Sequence, residues 1–293
     1  MNCAFIGFGN AAYKFALGLR AEGVEHIFFY KHHDIPPFTG ILAQHVEKSG
    51  AEYCQNYKIL LESSTVIISC VVGSAALDVC RAASEYLTPK HIYADFNTTS
   101  PEVKEKLSKI VCNTGASFVD GAILGPVGAL GHKVPITICG DGALAFYELM
   151  KSYGMQLTVL DGKPGQAAAV KMVRSVFQKG LMCLFLELLV AAKACGVENA
   201  VLSSIGKTFN GVTLEDMMER MVPKAVSSAR RMSQEMRTVA NILETMSLPS
   251  FMSEASIHAF DWFEQLQIEN KKDDCSVEET ICAIRNAMLK SKK

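Results

Sequence analysis

Four polar side chains form a stripe along one otherwise apolar segment of the chain. They are Lys171, Arg174, Ser175 and Gln178, at positions i, i+3, i+4 and i+7. This spacing puts all four on one face of a helix. Because charged groups are costly to bury without partners, we expect this face to line a ligand cleft. The alternative is that the stripe is the narrow solvent face of the helix.

Lys171 is the member of the stripe that could act as an acid/base catalyst. Burial and the neighbouring Arg174 both disfavour the charged form of the lysine, which brings its proton affinity towards a useful range. Arg174 itself could bind a carboxylate or a phosphate, because a guanidinium matches both groups in shape and charge. The stripe therefore offers a candidate general acid/base in Lys171 and a candidate binding group for an acidic substrate in Arg174.

A glycine-rich turn near the N-terminus has the chemistry of a phosphate-binding loop. The turn is Gly7-Phe8-Gly9-Asn10-Ala11-Ala12, a G-x-G-x-x-A pattern between an apolar strand at 2–6 and a helix at 11–21. The first glycine permits a tight turn, the second lets a pyrophosphate approach the backbone, and a small third residue lets helix and strand pack closely. The helix N-terminus adds free N–H groups for the phosphates. The pattern predicts dinucleotide binding, and the alternative is an ordinary glycine turn.

The end of the second strand bears on the choice of dinucleotide. NAD-binding folds usually carry an acidic residue there, which bonds the ribose 2′-hydroxyl. Here the strand runs into Lys31 and His32, and the first acid is Asp34. A lysine suits a 2′-phosphate, so the sequence favours NADP. NAD remains the alternative, with Asp34 making the ribose contact.

The elements that must position these residues change character along the chain. Strands are predicted at 2–6, 26–30, 65–72, 92–96, 117–119 and 134–139, alternating with helices, which is typical of a parallel sheet covered on both faces. After a turn cluster at 161–165, helices are predicted at 166–195, 201–208, 214–221, 225–246 and 251–263. We predict an α/β Rossmann domain over 1–162, followed by an all-α substrate and dimerisation domain over 163–293.

Composition excludes several other classes of protein. A net charge of -1 over 293 residues gives no overall attraction to nucleic acid or to an anionic membrane. The ten cysteines have no zinc-site spacing, so we expect no metal. The longest apolar run, 181–192, is interrupted by Glu187 and is too short to span a bilayer. No secretory leader is evident, and cysteines in apolar runs suit a reducing compartment, so we predict a cytoplasmic protein without a membrane partner.

Four segments in this order resemble the β-hydroxyacid dehydrogenase superfamily, which includes 6-phosphogluconate and 3-hydroxyisobutyrate dehydrogenases. Besides the glycine turn, residues 95–101 (DFNTTSP) are similar to D-x-S-T-x-S-P, and residues 120–126 (DGAILGP) to D-A-P-V-S-G-G. Residues 162–175 are similar to G-x-x-G-x-x-x-x-x-K-x-x-N-N. Segments 171–180 and 229–240 look closest to the subgroup of 6-phosphogluconate-dehydrogenase-like proteins.

The resemblance implies a reaction and a set of site residues. A hydride would pass between nicotinamide C4 and a substrate CH–OH carbon, while Lys171 moves the proton on the oxygen. Thr98 would lie near the nicotinamide ribose, the backbone around Gly125 would hold the acidic group of the substrate, and the C-terminal helices would form a homodimer. The predicted cofactor-binding residues are Gly7, Phe8, Gly9, Asn10, Ala11, Ala12, Lys31, His32, Val71, Val72 and Thr98. The predicted substrate-binding residues are Leu124, Gly125, Arg174, Ser175 and Gln178.

Departures from the family pattern bear on the substrate. Leu124 stands where the family has a substrate-binding serine, and Pro126, which has no N–H, stands where it has a glycine. Arg174 and Ser175 replace an asparagine pair. We therefore expect a substrate other than those of the best-known members.

Two further functions remain open on the sequence alone. An imine reductase shares the fold, although those enzymes usually carry aspartate or tyrosine at the position of Lys171. A non-catalytic, dinucleotide-binding regulatory protein is the other alternative.

Overall fold

The computed structural model describes residues 1–268 and 274–291. By internal packing the chain divides into two compact units, Met1–Val176 (unit 1) and Phe177–Lys293 (unit 2).

Unit 1 is built on one eight-stranded sheet with the order β3-β2-β1-β4-β5-β6-β7-β8. The strands are β1 Asn2–Ile6, β2 His26–Tyr30, β3 Glu52–Tyr53, β4 Val66–Ser69, β5 Ile92–Asp95, β6 Ser117–Ile123, β7 Ile136–Cys139 and β8 Leu157–Val159. All neighbouring pairs are parallel except β6 and β7. The predicted Rossmann architecture is confirmed. Strands β3 and β8 were not predicted, because two or three residues are too few to give a periodic pattern.

Helices cover both faces of this sheet. They are α1 Asn10–Ala21, α2 Gly40–Ser49, α3 Tyr57–Glu62, α4 Ala76–Ser84, α5 Pro101–Cys112, α6 Val127–Leu130 and α7 Ala143–Met150. Successive residues of β1 alternate between two hydrophobic clusters: Phe5 packs with α1 on one face, and Ile6 packs with α3, α4 and α5 on the other. Burial on both faces explains why the central strands are apolar throughout.

The long helix α8, Gln166–Cys195, runs across the division between the units. Its first turns, including Lys171 and Arg174, belong to unit 1. The domain boundary predicted at 163 stays a prediction. Among the described residues α8 is the one helix long and apolar enough to cross a membrane by length and composition. The helix has the predicted bounds, and the apolar run at 181–192, which alone is too short to span a bilayer, is only part of it.

Helices are the regular secondary structure of unit 2 in its described residues. Its further helices are α9 Glu198–Phe209, α10 Leu214–Ser227, α11 Ala229–Thr245, α12 Phe251–Gln265 and α13 Val277–Lys290. The predicted break before residue 225 is wrong, because α10 continues through Pro223 to Ser227. The Glu187 carboxylate accepts hydrogen bonds from the backbone N–H groups of Met252 and Ser253, and so caps α12.

Thiols are distributed unevenly between the units. In unit 1, Cys3, Cys54, Cys80 and Cys139 are buried, Cys70 is half-buried and Cys112 is exposed. In unit 2, Cys183, Cys195 and Cys282 are exposed and Cys275 is half-buried.

Candidate active site

The glycine turn has the geometry that its pattern predicts. Gly7 has φ +85°, and a Cβ there would stand 2.5 Å from the carbonyl oxygen of Cys70, so only glycine fits. A Cβ at Gly9 would meet no atom within 4 Å. Ala12 is fully buried under the turn, where a larger side chain would push α1 off the sheet. Space is therefore open only at the second glycine, where a pyrophosphate would approach.

A cleft of about 700 Å³ in unit 1 opens beside this turn. Nine of the predicted cofactor residues line it: Gly7, Phe8, Gly9, Asn10, Ala11, Lys31, His32, Val71 and Val72. Its volume lies within the usual range for cofactor sites, roughly 300–1,000 Å³. The structure adds lining residues that the sequence did not predict, among them Tyr30, Tyr57 and Asp78. Burial raises the pKa of Tyr57 to about 12, so this phenol is neutral.

The two residues that the NADP and NAD hypotheses invoke are paired with each other. Lys31 Nζ lies 2.8 Å from Asp34 Oδ2, and the two side chains are 34% and 40% exposed. His32 Nδ1 lies 3.2 Å from the hydroxyl of Tyr30. An ion pair this exposed contributes little to stability, so either partner is available to a ribose or a phosphate at small cost.

Lys171 contacts Thr98 within unit 1. Lys171 Nζ donates a hydrogen bond of 2.8 Å to Thr98 Oγ1, and the lysine is half-buried. Thr98 in turn touches the loop that follows β4, since a Cβ at Gly73 would stand 2.3 Å from the Thr98 carbonyl oxygen. Val72, the neighbour of Gly73, lines the cleft. A chain of contacts therefore joins the lysine amine to the wall of the cofactor cleft.

Arg174 contacts the turn that follows β6. Its Nη1 donates a hydrogen bond of 2.6 Å to the Leu124 carbonyl oxygen. The Leu124 N–H already donates to the Pro135 carbonyl oxygen at 2.8 Å, and Pro126 has no N–H. The Leu124 N–H is therefore engaged, and Pro126 offers none. The donors left for a ligand at this turn are the backbone N–H of Gly125 and the Arg174 guanidinium.

The remaining two residues of the stripe are Ser175 and Gln178, whose roles stay predictions. Ser175 Oγ donates 2.9 Å to the Lys171 carbonyl oxygen, so its hydroxyl bonds its own helix. Gln178 lies on the same helix face by its spacing, beyond the end of unit 1. Within residues 1–268 and 274–291, no three His, Cys, Asp or Glu side chains converge to hold a metal ion.

A buried ion cluster, made of Asp95, Asn97, Lys104 and Asp120, lies beneath these contacts. None of its members is more than 4% exposed. Lys104 Nζ lies 2.6 Å from Asp95 Oδ1 and 3.2 Å from Asp120 Oδ1. Burial raises the pKa of Asp95, and the adjacent Lys104 ammonium opposes that shift.

The burial of Lys104 is readable from the spacing of apolar residues in α5, although the sequence analysis did not predict it. Leu107 and Val111 follow the lysine at i+3 and i+7, and both are fully buried. A lysine on the apolar face of α5 is a buried lysine, and a buried lysine needs a carboxylate.

Comparison with known proteins identifies relatives of both parts of the chain. Residues 2–159 match the family described as the NAD binding domain of 6-phosphogluconate dehydrogenase. Residues 192–263 match a domain of unknown function. An uncharacterized 28.5 kDa protein of Methanothermus fervidus is 27% identical over 219 residues, which are 75% of this chain and 84% of the relative.

Two solved structures extend the comparison to nearly the whole chain. A conserved protein of unknown function, described as structurally similar to 3-hydroxyacid dehydrogenases, is 29% identical with a TM-score of 0.63, over 94% of this chain and 100% of that one. An imine reductase from Myxococcus stipitatus, solved with NADP+, has a TM-score of 0.74 at 15% identity, over 99% of this chain and 100% of that one. At 15% identity the likeness concerns the fold alone.

Lys171 and Arg174 fall between the two regions matched by family models, 2–159 and 192–263, so their roles remain predictions.

Proposed function

We propose that this chain is an NAD(P)-dependent oxidoreductase of a small hydroxy acid. The premise is that it belongs to the family described as the NAD binding domain of 6-phosphogluconate dehydrogenase, within the β-hydroxyacid dehydrogenase superfamily. The observation that carries the proposal is the 2.8 Å hydrogen bond from Lys171 to Thr98. The Thr98 carbonyl oxygen lies beside Gly73, the neighbour of the cleft residue Val72.

The residues of the cleft fit a dinucleotide. The open space at Gly9 and the N-terminus of α1 suit a pyrophosphate, because backbone N–H groups and the helix dipole both favour an anion there. Val71 and Val72 supply an apolar wall. When bound, the nicotinamide supplies or accepts the hydride. Lys31 supports NADP as the preferred cofactor, and its pairing with Asp34 keeps NAD as the alternative.

Lys171 is proposed as the group that moves the proton. In the direction of reduction, its ammonium donates a proton to the carbonyl oxygen of the substrate as the carbonyl carbon accepts the hydride. In the direction of oxidation, the neutral amine takes the proton from the hydroxyl. Thr98 orients the amine, because its hydroxyl oxygen accepts from Nζ.

Arg174 is proposed as the main anchor for the acidic group of the substrate. With Pro126, the turn at 124–126 has one backbone donor fewer than the family pattern supplies, and the guanidinium already lies at this turn. A guanidinium carries five N–H donors and can bind a carboxylate with two of them. This exchange of backbone donors for a side chain favours a substrate different from those of the best-known members.

The test is a turnover panel with the purified full chain. NADPH and NADH oxidation would be followed with 2- and 3-oxo acids, phosphorylated and unphosphorylated, and with cyclic imines; the corresponding hydroxy acids would be tested in reverse with NADP+ and NAD+. We expect turnover with an oxo acid and faster turnover with NADPH.

The Lys171→Ala variant should lower turnover by about 10²- to 10⁴-fold, the usual range for losing a general acid/base, while NADPH binding measured by fluorescence stays within about twofold. Lys179→Ala, two turns further along the same helix, is the matched control and should keep its turnover. Undiminished turnover in Lys171→Ala contradicts the assigned role.

The turnover panel also separates the alternatives. Turnover of cyclic imines alone would favour an imine reductase, and NADPH binding without any turnover would favour a regulatory protein.

A further inference from the structure

The buried ion cluster connects the two segments that carry Lys171 and Thr98. On one side, Asp120 Oδ2 accepts hydrogen bonds from the backbone N–H groups of Gly165 at 2.9 Å and Ala168 at 3.2 Å. These groups belong to the entry turn and first turn of α8. A carboxylate at this end of a helix satisfies unpaired N–H groups and is favoured by the helix dipole. Lys171 follows Ala168 by three residues, less than one turn, so the Asp120 contact fixes the backbone that carries the amine.

On the other side, the cluster holds the Thr98 segment and the cofactor cleft. Asn97 Nδ2 donates 2.6 Å to Asp95 Oδ2, and Asn97 Oδ1 accepts 2.6 Å from the backbone N–H of Val71. Val71 lines the cleft, and Thr98 is the next residue after Asn97. Asp95 therefore orients the side chain of Asn97, which directly precedes Thr98 and bonds the cleft residue Val71.

Lys104 joins the two sides. Without its ammonium, two carboxylates would face each other in a site that excludes water, and each would lose its counter-charge. A buried ion cluster of this kind is a poor source of stability, since desolvation offsets the attraction between the charges. Stability alone therefore gives no reason for three ionisable groups at this point in the sheet, whereas the need to fix two segments against each other does.

We propose that Asp120 and Lys104 are positioning residues, which set the start of α8 and so hold the Lys171 amine against Thr98. The proposal rests on the proposed function only in giving the contact between Lys171 and Thr98 a catalytic purpose. The geometric statement can be tested without a substrate.

The test compares Asp120→Asn and Lys104→Met with Val111→Ala in the full chain, with NADPH present to stabilise the folded state. Val111 lies on the same face of α5, two turns from Lys104, and its truncation weakens the core without changing a charge. Acetylation of Lys171 by acetic anhydride would be measured between pH 6 and pH 10 by mass spectrometry, relative to the exposed Lys48. We expect both cluster variants to increase the Lys171 rate by about fivefold or more, since losing a charged hydrogen bond loosens the helix start, and Val111→Ala to leave it within about twofold.

Turnover gives a second, independent readout. With the oxo acid that reacts in the panel, kcat of Asp120→Asn should fall by about 10- to 100-fold while KM and NADPH affinity stay within about threefold, because a displacement of about 1 Å is enough to slow a positioned reaction. A merely structural role would instead lower the amount of folded protein and leave kcat per folded molecule unchanged.

Hydrogen exchange of the unaltered protein keeps the proposal testable should both cluster variants fail to fold. The Ala168 amide should then exchange as slowly as amides of the central strands, and exchange at loop rates overturns the proposal. An unchanged Lys171 acetylation rate in folded Asp120→Asn, or an equal increase in Val111→Ala, overturns it as well. Failure of the proposed function is a separate result, namely undiminished turnover in Lys171→Ala.

Discussion

At the scale of single residues, the two glycines of the cofactor turn serve different needs. Gly7 is required by the fold, because its φ of +85° and the nearby Cys70 carbonyl leave no room for a Cβ. Gly9 has an ordinary φ of -86° and open space in front of it, so its lack of a side chain is not required by the fold. The sequence pattern treats the two positions alike, and only the structure separates them.

This difference predicts opposite outcomes for two alanine variants. Gly9→Ala should leave Tm within about 1–2 °C, because nothing clashes with the added methyl, yet weaken NADPH binding by about tenfold or more, because the methyl takes the space of the pyrophosphate. Gly7→Ala should lower both Tm and affinity. Thermal unfolding and fluorescence titration measure the two effects, and unchanged affinity in Gly9→Ala would contradict the placement of the phosphates.

At the scale of elements, the sequence predicted those with long periodic patterns and missed those defined by pairing or by capping. The central strands and α8 were predicted from their apolar residues, whereas the antiparallel direction of β7 leaves no mark in its composition. Helix α13 was missed although Ser276 and Glu279 form a capping box at its start, a signal readable from the sequence. The candidate site was predicted where motifs carried it, and the buried ion cluster was missed because its members lie far apart along the chain.

A buried histidine links two elements and makes stability depend on pH. The His91 ring lies just before β5: Thr88 N–H donates to Nδ1 at 2.8 Å, so Nε2 carries the proton and donates to the Leu61 carbonyl oxygen at 2.9 Å, at the end of α3. Burial lowers the pKa of His91 below its usual 6.5. As pH falls below about 6.5, the unfolded chain takes up a proton that the folded chain resists, so this contribution is present above that pH and is lost as pH falls through the folded pKa.

We therefore expect the free energy of unfolding, measured with urea, to decrease from pH 7.5 to pH 5. His91→Gln keeps a donor for the Leu61 carbonyl but cannot titrate, so it should be less stable at pH 7.5 and show a smaller decrease. His132, whose pKa burial also lowers, contributes in the same direction and remains in the variant. An equal pH dependence in both proteins would contradict the role of His91.

At the scale of the whole molecule, α8 leaves a large apolar surface exposed. The exposed large hydrophobic residues of its unit 2 part are Phe177, Met182, Leu184, Phe185, Leu186, Leu189 and Val190. Exposed apolar surface of this extent is typical of an interface between proteins. The homodimer through the C-terminal helices, predicted from the sequence, stays a proposal that this surface supports.

The oligomeric state can be tested with two matched leucines. Leu186 on α8 and Leu144 on α7 are each 65% exposed. Light scattering after size exclusion should give twice the mass of one chain for the unaltered protein and for Leu144→Glu. Leu186→Glu should shift the mass towards that of one chain, because a carboxylate would be buried without a partner at the interface. A monomer at all concentrations would contradict the proposed dimer.

The uneven distribution of thiols gives the chain a natural handle for site-selective labelling. Burial raises the pKa of Cys3, Cys54, Cys80 and Cys139, so the interior of the sheet offers almost no thiolate to an alkylating dye. Once Cys112 is replaced by serine, a maleimide fluorophore would attach almost entirely to the helical unit. Cofactor binding and helix movement could then be followed in separate optical channels, with the dye on one unit and reduced-nicotinamide fluorescence at the other.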